Sequence, residues 1–167
     1  ILAVILFTSF LYAGSVFAQN PPSLGGIAVN IKISEENVGE GDIISITKDG
    51  FKKSTASYDP QTYGVVVAAP ILSVELRNDS TRAVVSGGEV QVKVSAANGE
   101  IKVGDFIATS EEAGVGVKAP TAGYTLGKAL QDYTDTSRSG LISVLVDVGY
   151  FSGPLGVGAL SPLNKLI

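Results

Sequence analysis

Apolar and polar residues alternate in short runs along the middle of this chain. Ile27-Ala28-Val29-Asn30-Ile31-Lys32-Ile33 has its odd positions apolar, and Val90, Val92 and Val94 alternate with Gln91, Lys93 and Ser95. A period of two is that of a half-buried strand. Leu141 to Val148 is a longer apolar run. Its β-branched content and flanking glycines predict a buried central strand rather than a helix. Further strands are predicted at 42–47, 63–68, 82–85, 106–109, 115–119 and 124–129. Tyr58-Asp59-Pro60-Gln61 and Glu111-Glu112-Ala113-Gly114 read as turns. Asn98-Gly99 predicts a hairpin with Ile101-Lys102-Val103 as its return strand, because both turn residues tolerate positive φ. In the middle of the chain no helical period survives for ten residues without a Gly or Pro. The prediction is an all-β fold, a small barrel or β-clip-like arrangement of short strands.

One unit occurs twice. Gly41-Asp42-Ile43-Ile44 is followed 23 residues after its glycine by Gly64, and Gly104-Asp105-Phe106-Ile107 by Gly127 at the same spacing. An apolar residue, Val38 or Ile101, precedes each Gly-Asp pair by three positions. Each unit also leads to a glycine-opened strand-like run, Gly88 to Val94 or Gly140 to Val146. Two similar halves are therefore predicted, around 38–94 and 101–148. In this pattern Gly41, Asp42, Gly104 and Asp105 are corner residues, the glycine taking positive φ and the aspartate accepting a local backbone bond. Gly64 and Gly127 are sites of a bulge or close backbone approach.

Composition narrows the chemistry. The 167 residues carry a net charge of −4, no His and no Cys. Thiolate nucleophiles, disulfides and a Ser-His-Asp triad are excluded, and a zinc or haem centre is not expected. No basic run exists beyond Lys52-Lys53, which reads as a solvated turn, so no nucleic-acid partner is expected. No cofactor is expected either.

The ends differ from the middle. Residues 1–31 carry no charge, and after Asp147 only Lys165 is charged. Ile1 to Ala18 is a short apolar leader ending in Val16-Phe17-Ala18, which predicts a signal peptide cleaved between Ala18 and Gln19, or an uncleaved membrane anchor helix. No Met or basic segment precedes it, as in a chain lacking its first residues. Residues 19–26 form a Pro- and Gly-containing linker, 27–150 the β-domain, and 151–167 an apolar spacer containing Gly and Pro. The spacer is placed to lead into a membrane segment beyond it. The expected location is extracytoplasmic: secreted, at the cell surface, or held at the membrane.

Few residues carry candidate chemistry. Neighbouring Glu35-Glu36 and Glu111-Glu112 cannot flank one bond if extended, since adjacent side chains point to opposite faces. Asp132 and Asp135 lie in an oxygen-rich segment that is a weak Ca²⁺ candidate without the EF-hand pattern. Lys93 or Lys118 beside a serine would resemble a Ser-Lys dyad. Tyr58, Tyr63, Tyr124 and Tyr133 are a candidate carbohydrate-stacking set, and Asn78-Asp79-Ser80 is a formal glycosylation sequon. Edge strands make a homo-oligomer plausible.

Several ordered stretches together carry a resemblance. They are Tyr58-Asp59-Pro60-Gln61-Thr62-Tyr63-Gly64-Val65-Val66, Gly88 to Ser95, Asn98-Gly99-Glu100-Ile101-Lys102-Val103-Gly104-Asp105-Phe106-Ile107-Ala108-Thr109-Ser110, Gly114 to Ala119, Leu126-Gly127-Lys128-Ala129-Leu130 and Ile142 to Val146. In this order they resemble a β-domain near the ends of phage tail-fibre and tail-spike proteins. They also resemble uncharacterised exported proteins of candidate-phylum (ultrasmall) bacteria. The resemblance implies a domain between a signal peptide and a C-terminal membrane region. Some phage relatives are self-cleaving, but no matching catalytic residues are present here. The expected function is a non-catalytic surface or membrane-anchored module with a structural, adhesive or binding role. The alternatives are a self-processing or hydrolytic phage-tail-like domain, and a membrane-complex subunit anchored by its leader.

Overall fold

The computed structural model describes residues 26–70, 72–74 and 81–154. The predicted leader helix, the Ala18–Gln19 cleavage site, most of the linker, the sequon at Asn78 and residues 155–167 lie outside the described residues. Among the described residues no helix is long and apolar enough to cross a membrane.

The fold is all-β. Its strands are β1 (Ile27–Lys32), β2 (Ile43–Thr47), β3 (Gly50–Lys53), β4 (Thr62–Val66), β5 (Leu72–Val74), β6 (Thr81–Val85), β7 (Gly87–Ser95), β8 (Phe106–Thr109), β9 (Gly116–Lys118), β10 (Gly123–Ala129) and β11 (Gly140–Phe151). They form a six-stranded sheet in the order β3-β2-β4-β6-β1-β5 and a closed barrel in the order β10-β11-β7-β9-β8.

The two sheets follow the same circuit. In the barrel, β8 lies between β9 and β10, β10 meets β11, β11 meets β7, and β7 closes onto β9 in parallel. In the first sheet, β2 lies between β3 and β4, β4 meets β6, and β6 meets β1. Just beyond β1, Ile33 makes a single parallel bridge to Phe51 of β3. The first half is thus a less completely closed version of the second, with β5 added at its edge. The predicted repeat is present, but its division falls at Ser86 rather than in the nineties. The equivalent of β7 is β1, and the run Gly140 to Val146 is a partner of β7, paired with it from Gly140↔Val94 to Asp147↔Gly87.

Two further expectations are corrected. Lys52 and Lys53 sit in strand β3 rather than in a solvated turn, their backbones paired with Ser45 and Ile44. Asn98-Gly99 turns the chain without making a hairpin. Gly99 alone of the two has positive φ, at 102°, whereas the two-residue hairpin turns need it at both positions (type I′) or at the first (type II′). Both edges of β7 are already occupied, by β11 and β9, so residues 101–103 have no edge to return along. Ile101 instead bridges Tyr133.

The barrel interior is a valine and isoleucine core. Val90, Val92 and Val94 of β7 and Ile142, Val144 and Val146 of β11 face it with Ile107 and Leu126. The same cluster includes Ala28, Ile43, Val65, Ala83 and Val85 from the first half. A second cluster of Ile31, Ile33, Val38, Ile44, Val66 and Val84 fills the interior of the first half itself. Strands β2, β4 and β6, which place alternate residues in the two clusters, are therefore buried on both faces, as their apolar runs require.

Candidate functional site

The doubled Gly-Asp unit forms two corners with one backbone geometry. Gly41 and Gly104 have φ of 83° and 89°, a region that costs residues with a Cβ but not glycine. At the first corner, Gly41 N–H donates to Val66 O at 2.9 Å and Val66 N–H to Asp42 O at 3.0 Å. At the second, Gly104 N–H donates to Ala129 O at 2.8 Å and Ala129 N–H to Asp105 O at 2.9 Å. Val66 and Ala129 each lie two residues after the second glycine of their unit. The 23-residue spacing is thus the length needed to bring β4 or β10 back onto its corner. Three residues beyond each corner glycine, Ile44 pairs with Gly64 and Ile107 with Gly127.

The glycine requirement at 64 and 127 is steric. A Cβ on Gly64 would stand 2.4 Å from Val85 O, and one on Gly127 2.0 Å from Leu145 O. Both contacts are with neighbouring strand backbone, which cannot move aside cheaply.

The aspartates close their own corners. Asp42 Oδ2 accepts from Gly39 N–H at 2.9 Å and Asp105 Oδ2 from Lys102 N–H at 2.8 Å, each three residues back. Each carboxylate also receives a lysine ammonium. Lys93 Nζ of β7 donates to Asp42 Oδ1 across the seam between the halves. Lys118 Nζ of β9 lies 2.7 Å from Asp105 Oδ2 within the second half. Burial alone would raise the Asp105 carboxyl, but the hydrogen bonds from Lys118 and Lys102 N–H, with both lysine charges, hold it below its usual value. The two lysines that sequence proposed as dyad partners are therefore both bonded to corner aspartates.

The surroundings of the corners differ. Asp42 is 2 % exposed. Around it the second half is joined into the first-half ladder: Lys93 N–H donates to Gly41 O at 2.9 Å, Ile43 N–H to Gly114 O at 2.9 Å, and Gly114 N–H to Ser54 O at 2.8 Å. Gly114, with φ of 74°, stands where its Cβ would lie 3.0 Å from Asp42 Oδ1. Thr109, buried on β8, adds a tie that sequence reasoning missed. Its hydroxyl donates to Ala56 O at 2.7 Å and accepts from Asp59 N–H at 2.9 Å. The second corner lies at the surface. Phe106 stacks on Phe151 with centroids 4.1 Å apart, and Lys128 Nζ sits 4.9 Å from the Phe106 ring.

The remaining candidates do not converge. Asp132 Oδ1 accepts from Val103 N–H at 2.8 Å and its other oxygen lies 3.6 Å from Lys102 Nζ. Asp135 accepts from the Ser137 hydroxyl and N–H and from Arg138, which lowers its carboxyl to about 2. The two carboxylates have separate partners, and among the described residues no group of three or more Asp or Glu gathers to hold a metal. Glu35 accepts from Lys53 N–H at 2.9 Å, and Glu111 and Glu112 are exposed in their turn. The tyrosines are dispersed. Tyr63 packs edge-on against Phe51, Tyr58 accepts from the Thr121 hydroxyl, and Tyr133 donates to Arg138 O. Only Tyr124 joins another exposed ring, Tyr150, 5.5 Å away. A shallow cleft of about 300 Å³ at the seam is lined in part by Ser57, Asn98, Ser110, Glu111 and Glu112. The Ser110 hydroxyl there is committed to Val115 O at 2.7 Å.

No family model matches the chain, and no curated protein matches it in sequence. Among solved structures, the C-terminal fragment of gene product 12 from bacteriophage phi29 matches with a TM-score of 0.53 at 13 % identity. The match covers 73 % of this chain and 100 % of that fragment. The likeness is one of fold. It agrees with the resemblance to terminal phage β-domains, and at this identity it reaches no further than architecture.

Proposed function

We propose that the chain is an extracytoplasmic display module: exported by its leader, held at the membrane, and structural or binding rather than catalytic. The observation that carries this reading is the commitment of Lys93 and Lys118 to Asp42 and Asp105. The groups best suited to activate a nucleophile are used to fix the corners of the fold. The likeness to a phage terminal fragment supports a module of this kind. The uncharged leader and the sparsely charged C-terminal segment support placement outside the cytoplasm.

Two measurements test the reading. Residues 1–26 fused to alkaline phosphatase, which matures only outside the cytoplasm, should give active enzyme. An inactive fusion would remove export from the proposal. The purified chain should keep a single intact mass on prolonged incubation. Time-dependent cleavage into two fragments, abolished by one Ser, Thr or Asp substitution, would replace the display role with self-processing.

A further inference from the structure

Residues 54–61 link β3 to β4, and β2 lies between those two strands, so the link has to cross β2. It leaves beside Ile43, whose carbonyl accepts from Ser54 N–H, and arrives beside Ile46, whose N–H donates to Gln61 O. The second half holds it on the way. Tyr58 N–H donates to Thr109 O at 3.2 Å, Asp59 N–H to the Thr109 hydroxyl at 2.9 Å, and that hydroxyl to Ala56 O at 2.7 Å. Because these ties lead to β8, the crossing runs over the face of β2 that carries Ile43 and Ser45, the face turned toward the second half.

The closed crossing is held against opposing terms. Tyr58 has φ of 53°, in the left-handed region where a Cβ is crowded by its own backbone. The other described non-glycine residue at positive φ is Asn37, of a type that adopts it readily. Ser45 under the crossing and Ser54 at its start are 2 % and 1 % exposed. Neither hydroxyl meets a hydrogen-bond partner among the described residues, which disfavours the state that buries them. Tyr58 itself supplies the hold. Its hydroxyl accepts from Thr121 N–H at 3.3 Å and from the Thr121 hydroxyl at 3.0 Å. Its ring lies in space left by Gly123, where a Cβ would stand 2.3 Å from Tyr58 Cδ1.

We infer that residues 55–61 are a latched strap, with Tyr58 as the latch, that opens from the seam as a unit while both sheets stay folded. Ser54 is one hinge, its backbone still bonded to Ile43 and Gly114. Opening returns Tyr58 to negative φ and brings the Ser45 and Ser54 hydroxyls to water. Ser57 lines the seam cleft with Asn98, Glu111 and Glu112, so its departure widens that cleft. The seam then combines a fixed contact, at Asp42 and Lys93, with a releasable one at Tyr58. The inference stands on the seam alone and is independent of where the module is displayed.

Hydrogen exchange on the full chain tests it. The Tyr58 and Asp59 amides should exchange about a hundredfold faster than those of β7 and β11. Their rates should be nearly independent of added denaturant, because a local opening exposes little surface. Tyr58→Phe keeps the ring and removes the bonds from Thr121. It should speed the Asp59 amide by about tenfold and leave β7 and β11 unchanged. Gly123→Ala, which displaces the ring, gives the same readout should Tyr58→Phe fail to fold. Tyr58→Gly and Tyr58→Ala both lose the ring, but only glycine accepts positive φ without strain. The glycine variant should therefore open about tenfold less often.

Exchange of Tyr58 and Asp59 only together with the barrel strands, at the denaturant sensitivity of global unfolding, would overturn the inference and make the crossing part of the common core. Faster exchange throughout β7 and β11 in Tyr58→Phe would do the same, reducing Tyr58 to a structural contact of the whole fold. Equal opening in Tyr58→Gly and Tyr58→Ala would overturn the claim that the latch residue stores strain.

Discussion

The two Gly-Asp corners have the same backbone bonds and opposite surroundings. At the first, the residue after the aspartate is Ile43 and the residue across from it is Val65, both fully buried against the second half. At the second, the corresponding residues are Phe106, half-buried, and Lys128, exposed. The first aspartate takes its lysine from the other half, and the second takes one from its own. The local corner is therefore a device for turning the chain, while the side chains on its outer face decide whether another module covers it. Terminal units of repeat proteins behave similarly, exchanging an apolar outer face for a polar one. Here the exchange is Val65 for Lys128.

If the corners are architecturally equivalent, their close approaches should be equally intolerant. Gly64→Ala and Gly127→Ala should each cost about 3 kcal/mol or more, since the added methyl meets strand backbone in both. Denaturant midpoints at unchanged m-value would measure this. A mild effect at one site and a large one at the other would break the equivalence.

The aspartates should then separate the corners. Asp42→Ala leaves the Lys93 ammonium without its carboxylate in a seam where Asp42 itself is buried, at a cost of about 3 kcal/mol. Asp105→Ala removes a partly exposed pair and should cost about 1 kcal/mol. Equal losses would mean that burial by the second half contributes nothing to the first corner. Gly114→Ala is a smaller probe of the same seam. Its positive φ and its closeness to Asp42 predict a loss of about 1–2 kcal/mol. Hydrogen exchange should place the loosening at Ile43 and Ser54, whose backbone groups Gly114 meets.

Much of this architecture is legible in the sequence because strand alternation and turn glycines are local signals. The 23-residue spacing marks both corners, and most strands fall within a residue or two of their predicted limits. Two strands are not legible. β3 contains Lys52-Lys53, whose backbones pair while the residues remain half-buried, and β5 has only three residues. The division between halves is misplaced because β7 and β11 are both glycine-opened alternating strands lining one barrel. A signal against equating them was present: Gly88 and Gly140 are 52 residues apart, whereas the corner glycines are 63 apart. Which corner is covered was also encoded, in the contrast between Val65 and Lys128. The tie made by Thr109 had no sequence signal, since it joins groups about fifty residues apart.

The weakest contrast is in pH dependence, and it belongs to the second half. Asp105 and Asp135 both have carboxyls below their ordinary values, Asp135 at about 2. A carboxyl lowered on folding binds its proton more readily in the unfolded chain. Its contribution is therefore complete above the unfolded value of about 4 and is lost as pH falls through the lowered folded value. Stability should decline over that acidic interval, and Asp135→Asn should flatten the part ending near pH 2. Site-resolved exchange should show Tyr133 and Gly140 loosening before the seam residues Ile43 and Val65. An acid transition that opens the seam first would reverse the assignment and make the buried corner, rather than the exposed one, the acid-sensitive part of the fold.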